Sequence, residues 1–429
     1  MTDSTTADVV RRGSVALHPD PNRVLIRAFH PGQELFGHGA SRAEATIARV
    51  LRLSEEEVAV TLAATARRFA ARHRDISETF MAHYAAAVER LLPVELTLER
   101  RLLIGAYFTQ EYAVEAAALF NPSMVVHPDQ TGLDAGELRF IMSVRAVGEG
   151  HISSIGFRTG VVAQDDSITV ATPSRFLDVG RISASVADNY TVTFPDDLPL
   201  SERVLFPASP DEAHGIEDAR FTRFIESDGS ATYYATYTAY DGVQVAGRLL
   251  HTSDFVTFTS TRLSGPAAVD KGTALFPRRV GGRCLLLSRW DRENISVVSS
   301  PDLRTWSDLK TIDRPVQPWE LIQLGNCGSP VETTSGWLVL THGVGPMRTY
   351  SIGAILLDLD DPTRVLGVLR KPLLAPIEGE RNGYVPNVVY SCGAMRHGDT
   401  LVLPYGCSDS VIRFAFVAIP ELLAALTAL

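Results

Sequence analysis

Ser253-Asp-Phe-Val-Thr-Phe258 and Ser300-Pro-Asp-Leu-Arg-Thr-Trp306 are two versions of one phrase, an Asp turn followed by an aromatic residue. Asp254 and Asp302 lie 48 positions apart. A four-stranded propeller blade takes roughly 40–50 residues, so the phrase has the period of a blade. Two unrelated Asp turns would look the same, because Asp is common in turns. The surrounding texture favours the repeat. From Asn121-Pro122 onward, short runs rich in Val, Ile, Leu, Thr and Tyr alternate with Gly, Asp, Pro and Ser clusters. Leu138–Val144, Tyr233–Thr238, Cys284–Ser288, Ile295–Ser299, Trp337–Thr341 and Leu401–Pro404 all read as strands. Many evenly spaced short strands predict a sandwich, barrel or propeller. Roughly 300 residues remain after Asn121, room for five or six blades.

Upstream the pattern is helical. Residues 1–40 are broken by Pro19, Pro21 and Pro31. Ser54-Glu-Glu-Glu57 is a capping box ahead of an alanine-rich run to His73. Ser77 to Leu92, stopped by Pro93, and Thr97 to Leu119 read as further helices. The expected division is an N-terminal extension and helical module over 1–119, then a mainly β domain over 120–429. The helical module could pack on the β domain, extend its cleft or make a homo-oligomer.

Bulk properties narrow the function. The chain has 429 residues, 45% hydrophobic and 21% charged, with a formal net charge of -10. That composition is globular. The acidic balance argues against nucleic acid as a partner. No apolar run is long enough to span a bilayer. Met1 to Asp8 lacks a basic segment leading into an apolar run, which predicts a cytoplasmic protein. Cys284, Cys327, Cys392 and Cys407 are widely spaced, as buried reduced thiols would be, rather than a disulfide or zinc framework.

Chemistry gathers at strand ends. Trp337-Leu-Val-Leu-Thr-His-Gly-Val-Gly345 is a strand pattern closing on His-Gly. An imidazole there can meet an anion or move a proton. Other polar clusters are Asn121-Pro-Ser, Val144-Arg-Ala, Gly215-Ile-Glu-Asp-Ala-Arg220, Lys271 with Leu275-Phe-Pro277, Ser288-Arg-Trp-Asp-Arg-Glu-Asn294, Val385-Pro-Asn-Val-Val-Tyr-Ser-Cys-Gly393 and Tyr405-Gly-Cys-Ser-Asp409. The inner strands of a propeller would bring such clusters into one concave site.

With Gly336-Trp-Leu…His-Gly-Val344 and Leu356-Leu-Asp-Leu-Asp-Asp-Pro362, these motifs other than Ser288–Asn294 occur in the order seen in glycoside hydrolase family 130, which the region 120–420 resembles; Ser288–Asn294 departs from it by adding Glu293 where the phosphorylases are often less acidic. The family contains β-mannoside phosphorylases and some β-mannosidases. The resemblance implies a five-bladed β-propeller, inversion at a mannosyl residue, no metal or other cofactor, and a β-mannoside oligosaccharide as substrate. It implies that Asp218 is the general acid, donating its proton through the 3-hydroxyl of the mannosyl unit. Glu217 beside it would raise its pKa by like-charge repulsion. Arg145, Lys271 and His342 match phosphate-holding positions, with inorganic phosphate as co-substrate. Asn121 and Asp409 match sugar-binding positions, and Tyr237, Tyr240 and Asp241 are candidates for the acceptor side. Read without the resemblance, Glu217-Asp218 fits a solvated turn, His342 a hydrogen-bonded structural histidine and Lys271 a surface residue.

The expected reaction is phosphorolysis at the non-reducing end of a β-mannoside, β-1,2-linked by preference, giving α-mannose 1-phosphate. Inverting hydrolysis is the alternative, and it needs a carboxylate to activate water. Glu293, and behind it Glu332, are the candidates for that base. A β-mannosyltransferase and a non-catalytic sugar-binding propeller are the remaining readings.

Overall fold

Gly336–Val344 is buried along its whole length. So are Cys284–Ser288 and Ile295–Ser300. A strand apolar on both sides needs a neighbouring layer on each face. The structure, a computed structural model describing residues 9–31, 41–88, 95–184 and 189–427, supplies those layers as five antiparallel sheets.

The first sheet runs Ala118–Val126, Leu138–Val147, Ser153–Val162, with Val204–Leu205 outermost. The second runs Ile216–Ile225, Ala231–Tyr240, Val245–Thr252, Thr257–Arg262, then Tyr190–Thr193 and Arg181–Ala184. The third runs Ala274–Leu275, Cys284–Ser288, Ile295–Ser300, Ser307–Asp313. The fourth runs Gln323–Asn326, Gly336–Val344, Tyr350–Leu357, Val365–Val368. The fifth runs Val389–Tyr390, Thr400–Cys407, Val411–Ala418, and closes on Val10–Leu17 from the far end of the chain.

Apolar side chains fill the gaps between consecutive sheets. Ile141 and Phe157 meet Phe221 and Leu250. Phe224 and Leu249 meet Leu286 and Trp306. Leu287 and Val297 meet Leu324 and Trp337. Leu338 and Ile352 meet Leu401 and Ala415. Met142 and Val144 meet Val402 and Phe414, which returns from the fifth sheet to the first. At about 25 cal/mol per Å2 of apolar surface removed from water, these layers are the main stabilising term.

The repeated phrase is structural. Asp254 Oδ1 accepts from the Val256 and Thr257 amides, and Asp302 Oδ1 from the Arg304 and Thr305 amides. Both turns join the third and fourth strands of their sheets. Asp358 makes the same turn in the fourth sheet.

The helical region forms a separate compact unit, 21–114 with 175–177. The capping box at Ser54 starts α2 (Glu55–Phe69), after α1 (Arg42–Leu51). Helix α3 spans Ile76–Val88; Leu92 and Pro93, expected to end it, lie outside the described residues. Helix α4 covers only Leu98–Tyr107, not the expected reach to Leu119. Thr109–Ala113 instead pairs with Val24–Ala28, and Ala118–Val126 begins the first sheet. The β unit comprises the chain up to Asp20, 115–174 and 178–429, so the expected boundary at 119/120 falls inside a strand. The helical unit is therefore an insertion after a strand of the fifth sheet rather than an extension ahead of the β region. The Asp20 amide donates to Glu115 Oε2 at 3.2 Å, and Glu115 pairs with Arg158 at 2.7 Å, both side chains buried. No described helix is long and apolar enough to cross a membrane.

Candidate active site

Backbone irregularities aim the key side chains. The pairing of Ala118–Val126 slips between Phe120 and Ser123, and that of Ile216–Ile225 slips between Glu217 and Arg220. Asn121 (φ 48°) and Asp218 (φ 55°) sit in those slips, and Asp409 (φ 48°) follows the strand Thr400–Cys407. All three are in the left-handed region, which Asn and Asp tolerate better than other side chains. The slips turn these residues off the sheet faces.

The side chains converge on one cavity of about 200 Å3, lined by Asn121, Arg145, Asp218, Lys271, Arg289, Gln323, His342, Arg348, Tyr350, Val388, Tyr390 and Asp409. All five sheets or their loops contribute. Arg145 is the hub. Its Nη1 donates to Asp218 Oδ1 at 3.1 Å, its Nη2 to Glu217 Oε1 at 2.7 Å and its Nε to Ser153 Oγ at 3.0 Å. Asn121 Nδ2 donates to the same Asp218 oxygen at 2.7 Å. Lys271 Nζ stands 3.6 Å from Glu217. Beneath them Arg220, buried, reaches the Cys327 and Thr273 carbonyls and the Tyr390 hydroxyl, tying the second sheet to the other side of the site.

The electrostatics reverse one expectation. Burial would raise the pKa of Asp218, but Arg145, Lys271, Arg220 and the Asn121 hydrogen bond outweigh it and bring it down to about 2. Glu217, beside it, is itself held by Arg145 and Lys271 and is not among the largest influences on Asp218. Asp409 goes the other way. Burial and then the Asp218 charge raise its pKa to about 6, against Arg145 and Arg348. His342 is 1% exposed, and burial, Arg289 and Arg220 push its pKa well below the ordinary value. Its Nε2 lies 3.0 Å from Arg289 Nη1 and 3.2 Å from Gln323 Nε2. Four cations and two carboxylates line the cavity, and Glu217 sits beside it on Arg145 and Lys271, which leaves a surplus of one positive charge in a chain of net charge -10.

Residues 198–428 match the family model of the β-1,4-mannooligosaccharide phosphorylases, glycoside hydrolase family 130. The chain belongs to family 130. It is 34% identical to the 1,2-β-oligomannan phosphorylase of Thermoanaerobacter sp. strain X514, over 52% of this chain and 75% of that one. It is also 34% identical to the β-1,2-mannobiose phosphorylase of Listeria innocua, over 51% of this chain and 62% of that one. The solved structure of a β-1,2-mannobiose phosphorylase from Listeria innocua, in complex with β-1,2-mannobiose, superimposes with a TM-score of 0.54 at 24% identity, covering 73% of this chain and 93% of that one.

Within this family 130 chain, the structure brings together Asn121, Arg145, Glu217, Asp218, Lys271, His342 and Asp409 as expected. It does not bring in the two expected bases. Glu293 is exposed in the turn after Cys284–Ser288 and does not line the cavity. Glu332 is bound to Arg278 at 2.6 and 2.9 Å, in a second cavity with Val126, Phe221 and Ile225. Val126 and Ile225 are at the far ends of the strands that carry Asn121 and Asp218. The seven steps from Asp218 to Ile225 span about 23 Å of strand. Tyr240 donates its hydroxyl to the Gly242 carbonyl at 2.8 Å and packs against His214, outside the cavity lining. Tyr237 is buried on Glu212, and Asp241 closes a hairpin turn. Sequence reading missed Arg289, Gln323, Arg348, Tyr350 and Tyr390 as site residues. For Arg289 a signal exists: it lies one residue past its strand, much as Arg145 and His342 lie near their strand ends.

Proposed function

We propose that this chain is an inverting β-mannoside phosphorylase, using inorganic phosphate to release α-mannose 1-phosphate from the non-reducing end of a β-1,2-linked mannoside. The observation that carries the reading is the cationic surplus around Asp218, where Arg145, Lys271, Arg289 and Arg348 line one small cavity with the carboxyl group. A phosphate oxygen would attack the anomeric carbon from one face while the glycosidic bond breaks on the other. Asp218 would supply the proton to the leaving oxygen. The free site holds Asp218 ionised. An anion seated on Arg145 and Lys271 offsets the charges that hold its pKa down, so phosphate binding would raise it toward a working acid. Hydrolysis would need a water-activating carboxylate, and neither Glu293 nor Glu332 is in place to serve. Asn121 and Asp409 would bind the mannosyl hydroxyls.

We read the five sheets as the blades of a five-bladed propeller. Five apolar layers in cyclic order, and a first strand that completes the fifth sheet, support that reading.

The test is cleavage of β-1,2-mannobiose by the purified protein, with and without phosphate, following mannose and mannose 1-phosphate. Mannose 1-phosphate formation that requires phosphate is expected. Equal rates without it would end the phosphorylase reading. Glu293→Gln and Glu332→Gln should keep within about threefold of the parent rate, the range of surface changes.

A further inference from the structure

We propose that Ser408 is a positioning residue, whose hydroxyl holds a strained turn in the conformation that aims Asp409 into the cavity. The inference rests on the reading above of Asp409 as a ligand of the mannosyl hydroxyls, and names what sets its direction.

Thr400–Cys407 turns into Val411–Ala418 through Ser408 and Asp409. The Ser410 amide donates to the Cys407 carbonyl at 3.0 Å, and the two residues between them have φ of 47° and 48°. A tight hairpin turn with positive φ at both centres is the type that favours Asn-Gly or Asp-Gly. Here the centres are Ser-Asp, and neither is glycine. Asp enters the left-handed region more readily than Ser does, so the strain falls mainly on Ser408. A hairpin selected for stability alone would carry glycine there. This one forgoes that stability and sets a carboxyl group in the cavity wall instead.

The contacts around Ser408 show what holds the turn. The residue is fully buried. Each of its polar groups is bonded to one segment, 380–388. Its amide donates to the Val388 carbonyl at 2.7 Å, its carbonyl accepts from the Val385 amide at 2.9 Å, and its Oγ donates to the Glu380 carbonyl at 2.7 Å. The segment wraps closely. A Cβ added to Gly383 would stand 2.6 Å from the Ser408 carbonyl oxygen and 2.5 Å from Ser410 Oγ. One end of the segment is anchored: the buried Glu380 carboxylate accepts from the Tyr405 hydroxyl at 2.7 Å, from Arg12 Nε at 3.3 Å and from the Ile377 amide at 3.3 Å. The other end reaches the cavity, where Val388 is part of the lining. Two of the three bonds are made by backbone, which any residue at 408 would supply. The hydroxyl is what serine itself contributes. The same strand also lies against Asn121, because a Cβ on Gly406 would be only 3.2 Å from the Asn121 amide nitrogen. Asn121 and Asp409 therefore stand on touching strands, and the direction of Asp409 decides whether the two face one sugar.

The experiment titrates β-1,2-mannobiose into the full-length protein by calorimetry in phosphate-free buffer. It compares the parent with Ser408→Ala, Ser408→Gly, Asp409→Gly and the Ser408→Gly, Asp409→Gly double variant, and adds steady-state constants measured with phosphate. Glycine relieves the left-handed strain while losing the hydroxyl, so Ser408→Gly should melt within about 3 °C of the parent. It should still bind mannobiose about fivefold more weakly, the scale of one hydrogen bond. Its kcat and its Michaelis constant for phosphate should stay within about twofold, as for a loss of uniform binding. Ser408→Ala keeps the strain without the hydroxyl, so it should lose at least as much affinity and melt lower than the parent. Asp409→Gly leaves no side chain to aim, so adding Ser408→Gly to it should cost less than about twofold. Mannobiose binding equal to the parent in both Ser408 variants would overturn the proposal. So would a fivefold loss that persists in the Asp409→Gly background, since Ser408 would then act on something other than Asp409. Loss of phosphate affinity to the same extent as mannobiose affinity would overturn it too. If Ser408→Ala gives no cooperative melt, Ser408→Gly is the variant read. The phosphorylase reading fails on a different result, turnover at equal rates with and without phosphate, and that result leaves the binding comparison intact.

Discussion

Asp218 and Asp409 share a cavity yet titrate in opposite directions, and each direction has a consequence. Asp218 is held at about 2, so its ionised form stabilises the fold above the unfolded value of about 4, and that contribution is lost as pH falls toward 2. Asp409 is raised to about 6, so the folded state binds a proton that the unfolded chain has released. Its penalty is absent near pH 4, grows as pH rises and is complete above 6. Asp409→Asn removes it. The variant should therefore melt higher than the parent at pH 7, with the gap closing toward pH 4. The rise from about 4 to about 6 sets an upper limit of about 3 kcal/mol. Thermal melts over pH 4–8 check this, and a gap that widens toward acid would contradict it. Asp218→Asn should abolish turnover, since no acid replaces it. Asn tolerates the left-handed φ of 55°, so the fold should survive. Removing the Asp218 charge should also lower the pKa of Asp409, visible as a weaker pH dependence of stability in that variant.

At the scale of elements, the strand Val10–Leu17 matters beyond its length. It pairs with Val411–Ala418, and its Arg12 donates to Glu380 Oε1 at 3.3 Å and to the Ala375 carbonyl at 2.8 Å. Glu380, 2% exposed, also accepts from the Tyr405 hydroxyl at 2.7 Å, and its carbonyl accepts from Ser408, the neighbour of Asp409. Glu380→Ala leaves the buried Tyr405 hydroxyl without its acceptor and takes one partner from Arg12, which keeps the Ala375 carbonyl, and should cost about 2 kcal/mol by denaturant midpoint. Arg12→Ala, at a half-exposed position, should cost about 1 kcal/mol. The sequence could not reveal this tie, because strand pairing between the two ends of a chain leaves no local mark. Local signals were legible. The capping box at Ser54, the Asp turns and the apolar runs of the middle strands all depend on near neighbours. Thr109–Ala113 reads as helix because apolar residues continue through it at helical spacing, and only its partner Val24–Ala28 makes it a strand. In the site, residue types were readable but side-chain direction was not. Ser288-Arg-Trp-Asp-Arg-Glu-Asn294 offers Arg289 and Glu293 equally. The turn buries the first at the cavity and exposes the second.

For the whole molecule, the inserted helical unit poses the sharpest test of independence. It has its own core, in which Ile47, Val50 and Val58 pack with Leu103, Ile104 and Phe108. Arg100 is buried in it, bound to the Val50 and Leu53 carbonyls. The β unit closes over the point where the chain departs and returns: Asp20 and Glu115 are joined by a hydrogen bond, and Glu115 is fixed by Arg158. A β unit with its own five apolar layers should fold without the insertion, since domains with separate cores generally do. Replacing 21–114 by a short Gly-Ser linker leaves the fifth sheet its first strand, and costs only a small loop-closure entropy because the ends already meet. The shortened protein is expected to unfold in one cooperative transition with strand-rich circular dichroism. A second variant that also lacks Val10–Leu17 exposes the edge of Val411–Ala418 and should melt lower or aggregate. If the linker variant fails to fold while the intact chain does, the helical unit is part of the folding core of the β region and the two are not separable.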